Sequence, residues 1–212
     1  MYFDGRSVPR DDAEAAKWFR KAADQGDAAA QYYVALMYRQ GRGVTMDYAE
    51  AAKWYRKAAD QGYPDAQHEL WLMYADGEGV PENLEEAAKW CRKAAEQGLA
   101  LCQFALGEMY YNAEGVPKDH AEALKWYLKS AEQGHDIAQY SLGVMYSAGN
   151  GVPKDDEEAY AWCNLAAITN ADARELRVQL EKLLTSEQKA RAQQRSAGLH
   201  KKLEARKKTA GQ

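Results

Sequence analysis

Cysteine and proline are scarce in this 212-residue chain, and it has no long apolar run. Three cysteines (Cys91, Cys102, Cys163) are too few and odd in number for a disulfide framework. A chain of this length buries enough surface to fold without disulfides or a metal. Five prolines and few β-branched residues, set among many alanines, point to helices and away from sheets. No stretch approaches the roughly 18 consecutive apolar residues that a membrane span needs. Met1 to Arg10 lack an apolar core, so they do not read as a secretory signal. As it stands, the chain reads as cytoplasmic, with export open only if a segment precedes it.

Charge is nearly balanced in total but not along the chain. The net −4 divides into +7 from Lys189 onward, where eight basic residues meet one acidic residue, Glu204, and −11 over residues 1 to 188. An acidic body is therefore joined to a basic tail.

What the sequence has in abundance is self-similarity. A Glu-Gln-Gly or Asp-Gln-Gly segment ends at Gly26, Gly62, Gly98 and Gly134, always 36 residues apart, with Asn170 at the next step. Tryptophan recurs at Trp18, Trp54, Trp90, Trp126 and Trp162, and Met-Tyr at Met1, Met37, Met73, Met109 and Met145. Such a period marks a repeat architecture. The array reads as residues 1–170: a partial unit 1–26 and units 27–62, 63–98, 99–134 and 135–170. A divergent segment, 171–212, follows.

Each unit reads as two helices. The first carries small and apolar residues at helical spacing, as in Ala30, Val34 and Tyr38. It stops at a Gly-x-Gly-Val turn such as Gly41-Arg42-Gly43, where glycine accepts left-handed backbone. Pro81, Pro117 and Pro153 keep the helix from resuming. The second helix opens on a cap residue with glutamate three positions on: Asp11/Glu14, Asp47/Glu50, Asn83/Glu86, Asp119/Glu122, Asp155/Glu158. One helix pair cannot bury its own apolar face, so the pairs must stack. The repeated tryptophans belong to that core and not to a ligand cage.

The pattern Ala138-Gln139, Leu142-Gly143, Met145-Tyr146, Gly149, Gly151-Val152-Pro153, Asp155, Glu158-Ala159, Trp162 closely resembles the Sel-one-like repeat family, relatives of tetratricopeptide repeats. The resemblance covers residues 1 to about 170. It implies an all-α fold, a right-handed α/α superhelix, and a role as a scaffold or adaptor for other proteins; that role is a family-level analogy and not a site reading. By the same analogy the first helices line the concave face. The expected partner-binding residues there are Tyr32, Leu36, Arg39, His68, Trp71, Leu72, Phe104, Glu108, Tyr111, Tyr140 and Val144. Their face is aromatic and aliphatic with Arg39 its only strong cation, which suits an apolar peptide or helix better than a phosphate or acidic terminus. The competing reading is that Tyr32, His68, Phe104 and Tyr140 merely pad the packing between repeats. Trp71 replaces the small residues Ala35, Gly107 and Gly143, so it must face the groove or push its helices apart.

Chemistry is hard to find. The histidines His68, His120, His135 and His200 have no metal-ligand spacing and read as surface residues. The Gly-x-Gly turns lack the third glycine and preceding strand of a dinucleotide site, so no cofactor is expected. Ser186-Glu187-Gln188-Lys189 fits a Ser-x-x-Lys pattern without its companion motifs, and a cap at Thr185 or Ser186 explains it better. A cysteine-rich branch of the resembled family bridges its helices and is associated with β-lactam binding. Here Ala95 stands where Cys102 would need a partner, and Cys91 and Cys163 take the Tyr55 position as core fillers. No enzyme is expected.

At the start, Met1-Tyr2 aligns with the end of a first helix, leaving the next helix without its partner. A missing upstream segment or a second copy of the chain would cover it, the latter as a homodimer. At the other end, Ala171 to Leu184 reads as a closing helix on Leu176, Leu180, Leu183 and Leu184. Glu187 to Lys208 reads as a polar last helix anchored by Leu199 and Leu203. Its charge, Lys189 to Lys208, faces water and the acidic body in the leading reading, and an anionic surface or nucleic acid in the weaker one.

Overall fold

The computed structural model describes residues 11–210, so the Met1-Tyr2 element lies outside the described residues. These residues form α1 (Asp12–Asp24), α2 (Ala28–Gln40), α3 (Tyr48–Asp60), α4 (Pro64–Asp76), α5 (Leu84–Glu96), α6 (Ala100–Asn112), α7 (His120–Ala131), α8 (Asp136–Ala148), α9 (Asp156–Ala166), α10 (Ala171–Leu183) and α11 (Ser186–Ala210). Among the described residues there is no strand. The chain divides into two compact units, Met1–Gln97 with α1–α5 and Gly98–Gln212 with α6–α11.

Within each unit the helices form antiparallel pairs built on the same local chemistry. Asp47 and Asn83 accept the amides of Glu50 and Glu86, and Asp119 and Asp155 do the same in the second unit. The cap residue's own amide donates to the carbonyl of the Met-Tyr tyrosine nine residues earlier: Asp47 to Tyr38 at 3.0 Å, Asp119 to Tyr110 at 2.9 Å. That bond takes the place of a reciprocal capping glutamate. Glu14, Glu50, Glu86 and Glu122 instead pair with the lysine three residues on.

The turn between paired helices needs left-handed backbone twice, at Gly41 and Gly43 (φ 64° and 70°). The second glycine is also a close approach: a Cβ on Gly43 would stand 2.0 Å from the Asp12 carbonyl oxygen, and one on Gly79 2.3 Å from that of Tyr48. In the third repeat Ala113 takes the first of these positions, at φ 66°.

The first unit's core gathers Val34, Leu70, Met73, Trp54, Tyr55, Trp90 and paired alanines; the second's gathers Tyr127, Leu142, Met145, Trp162 and Leu165. Trp54 is 3% exposed, with Lys57 3.7 Å and Arg20 4.6 Å from its ring centroid. Each cation adds roughly 0.5–1 kcal/mol to the burial of the ring. Trp18 departs from the expectation of five core tryptophans, being 55% exposed. Arg20 on α1 covers Trp54 and Arg56 on α3 covers Trp90, and no described helix precedes α1 to cover Trp18 in the same way.

In the second unit α11 lies along α9, burying Ala192 and Ser196, with Leu199 and Leu203 against the core as expected. Thr185 and Gln188 cap its start reciprocally. On α10, Leu180 and Leu184 close the core, but Leu183 is 66% exposed. One helical step separates Leu183 from Leu184, and only Leu184 turns inward.

Candidate functional site

The expected partner-binding residues are all half-buried, each with part of its side chain in the core and part at the surface. In the first unit Tyr32 lies 5.2 Å from Tyr63, 5.6 Å from Tyr55 and 5.6 Å from Tyr33, and Tyr33 stacks on Phe19 at 5.0 Å. Burial pushes the Tyr32 phenol up to about 12, and the carboxylates of Glu69 and Asp65 add to the shift. Leu36 on α2 and Leu72 on α4 are half-buried.

Arg39, expected as the strong cation of this face, is already engaged. It pairs with Glu69 through Nη1 and with Glu78 through Nε at 3.1 Å. Trp71 sits edge-on to His68 at 5.4 Å. It is not enclosed between its own two helices, and the register explains why it fits. At the equivalent positions a Cβ on Gly107 would meet the Tyr127 ring at 2.6 Å, and one on Gly143 the Cys163 sulfur at 2.3 Å. No two large residues face each other at this level of a helix pair, and Trp71 is paired in register with the small Cys91.

In the second unit Phe104 stacks on His135 at 4.9 Å and tilts against Tyr127 at 5.7 Å. The Tyr127 hydroxyl donates to Glu108. Tyr111 stacks on His120 at 4.7 Å and accepts from the Asn150 side-chain amide at 2.9 Å. Tyr140, Val144 and Ser147 on α8 form one wall of a groove whose other wall is Asp172, Glu175, Leu176 and Gln179 on α10. Burial first, then Asp172, raises the Tyr140 phenol above its ordinary value.

Two of the expected surface histidines thus serve the fold. His135 caps α8, its Nδ1 accepting from the Ala138 amide at 3.2 Å, and burial lowers its basicity. His120 is half-buried under Tyr111, and only His200 is freely exposed. Cys91, Cys102 and Cys163 are free, buried thiols. The Cys163 thiol is pushed up to about 12 by burial. Among the described residues no group of three or more His, Cys, Asp or Glu is arranged to hold a metal, and no helix is long and apolar enough to cross a membrane.

Much of the basic tail's arginine turns inward. Arg191 pairs with Glu157 at 2.6 Å, Arg195 with Asp155 at 3.2 Å and Glu158 at 3.1 Å, and Arg206 with Glu132 at 3.0 Å. Lys201, Lys202 and Lys208 remain exposed.

Sequence reasoning missed Glu69, Asp172, Glu175 and Leu176 as members of these faces. The 36-residue register held the signal for Leu176, which follows Tyr32, His68, Phe104 and Tyr140 in the same series. Nothing local marked the carboxylates, because acidic residues on a helix are ordinarily solvated.

A family model described as Sel1 repeat matches residues 1–27, 28–63, 64–99, 100–135 and 136–168. A Sel1 repeat protein from Oxalobacter formigenes is similar in structure, with 35% sequence identity and a TM-score of 0.76, over 82% of this chain and 72% of that one. A protective antigen present in uropathogenic Escherichia coli strains, displaying an SLR fold, is 31% identical with a TM-score of 0.56. The match covers 96% of this chain but only 59% of the antigen. No curated protein matches.

Proposed function

The chain belongs to the Sel1 repeat family, and from that premise we propose that it is a non-catalytic adaptor holding a protein or peptide partner on its first-helix faces. Those faces are α2 and α4 in the first unit and α6, α8 and α10 in the second. The observation that carries this reading is the half-buried state of Tyr32, Trp71, Phe104 and Tyr140. Each ring is anchored by its neighbours and still presents an edge. A partner ring or methyl group could cover that edge at little cost in side-chain entropy. Aromatic anchors of this kind carry much of the energy in protein interfaces.

The reading is tested by changing Tyr32, Phe104 and Tyr140 together to Ala and repeating a cross-linked pull-down from the native cell. Loss of the partner, with the helical circular dichroism retained, is the expected result. Unchanged recovery from an intact fold would return these rings to internal padding and end the proposal.

A further inference from the structure

We propose that the groove between α8 and α10 receives a basic amphipathic helix, its apolar side on Tyr140, Val144 and Leu176 and its lysine or arginine side on Asp172 and Glu175. This rests on the adaptor reading and names the chemistry of the partner at one place.

Carboxylates on these faces are balanced differently in the two units. Glu69 and Glu78 share the single charge of Arg39. Glu108 accepts the hydroxyl of Tyr127. Asp172 and Glu175 have no ion-pair partner among the described residues, and the groove they line contains no cation. The 36-residue register shows what is missing. The position that holds Arg39 in α2 holds Ser147 in α8 and Leu183 in α10. The counter-charge built into the chain in one unit is absent from the other, where Asp172 and Glu175 stand exposed and open to an external cation.

The shape selects a helix. On α8 the wall residues are spaced i, i+4, i+7, and on α10 they recur at i, i+3, i+4 and i+7. Side chains at these spacings share one helix face, so each wall is about 10 Å long, or two helical turns. A groove between two helices with such walls matches the pattern by which amphipathic helices dock. At its margins Leu183, 66% exposed, continues the α10 stripe, and Ile137, 45% exposed, continues that of α8. Two large apolar side chains left in water beside uncompensated carboxylates fit a partner that is apolar on one edge and cationic on the other.

Fluorescence anisotropy of a labelled helix-forming peptide of about 14 residues, built from leucine and lysine, tests this against a leucine and glutamate counterpart. The expected result is binding of the lysine peptide alone. Affinity should fall at least about tenfold in Asp172→Lys/Glu175→Lys and less, but measurably, in Asp172→Asn/Glu175→Gln, which preserves side-chain shape. Glu85→Lys/Glu96→Lys, on the exposed face of α5, makes the same change in net charge and should leave affinity within about twofold. No binding, equal binding of the two peptides, or equal loss in both lysine variants would overturn the proposal. If the peptide fails while the aromatic triple variant still loses its native partner, only the charge assignment falls and the adaptor reading stands.

Discussion

Gln61 donates its side-chain amide to the side-chain carbonyl of Gln31 at 2.8 Å, while the amide of Gln31 donates to the carbonyl of Ala23 at 3.2 Å. The same arrangement joins Gln97, Gln67 and Ala59 in the first unit. In the second unit Gln133 donates to Gln103 at 2.7 Å and Gln139 to Ala131 at 3.1 Å. A glutamine only 5% exposed at Gln31 is tolerated because its donor and acceptor are both used. Gln31→Ala removes both bonds, while the Ala23 carbonyl keeps the Gly26 amide and Gln61 stays open to solvent. The expected loss is about 1 kcal/mol, read as a lower thermal midpoint. A midpoint unchanged from wild type would mean that water replaces the glutamine without cost.

Ala113 occupies a left-handed turn position that glycine fills in the neighbouring repeats. A non-glycine residue there costs about 1 kcal/mol or more. Ala113→Gly is expected to raise stability by up to about 1 kcal/mol, less the entropy that glycine gains on unfolding. Chemical denaturation would measure it, and a destabilised variant would contradict the assignment of strain to this turn.

Gly143 and Cys163 are coupled by contact, since a Cβ on Gly143 would lie 2.3 Å from the Cys163 sulfur. Gly143→Ala alone should destabilise by about 1–3 kcal/mol through overpacking. Adding Cys163→Ala should recover much of that loss, giving a coupling above about 0.5 kcal/mol in a double-mutant cycle. Strictly additive effects would show that the two helices move apart instead.

The docking of α11 on α9 should depend on acid. Glu157 is held below the usual carboxylate range by Arg191, and burial at Asp155 is outweighed by the Glu158 amide and Arg195. Both groups release protons more readily in the folded state than in the unfolded chain. Their contribution is complete above the ordinary carboxylate value and is lost as pH falls through the folded value, below about pH 4. Hydrogen exchange at pH 7 and pH 3 should show α11 losing protection before α8 and α9. Equal loss across all three helices would exclude this role.

The cysteines should be inert in the native state. Cys91, Cys102 and Cys163 are wholly buried, which denies a reagent access, and the Cys163 thiol, pushed up to about 12, also carries almost no thiolate at neutral pH. A thiol reagent is expected to label them only after denaturant is added. Rapid native labelling would show an opening of the helix pairs absent from this fold.

Helix starts and stops, and most of the core, follow from local chemistry written in the sequence. Glycine, proline and cap residues act through their own backbone and immediate neighbours, and the 36-residue period repeats that local chemistry. Trp54, Leu142 and the caps at Asp47 and Asp155 were therefore legible without coordinates. Which charged and apolar side chains find partners depends instead on how distant helices pack. Arg39 meets Glu69 and Glu78 from 30 and 39 residues away, and Arg191 meets Glu157 from 34. Trp18 and Leu183 look like core residues in the pattern but are exposed, because burial depends on what is packed against a face and not on the residues that compose it. For the same reason the α8–α10 groove became visible as acidic only when two separate helices were placed side by side.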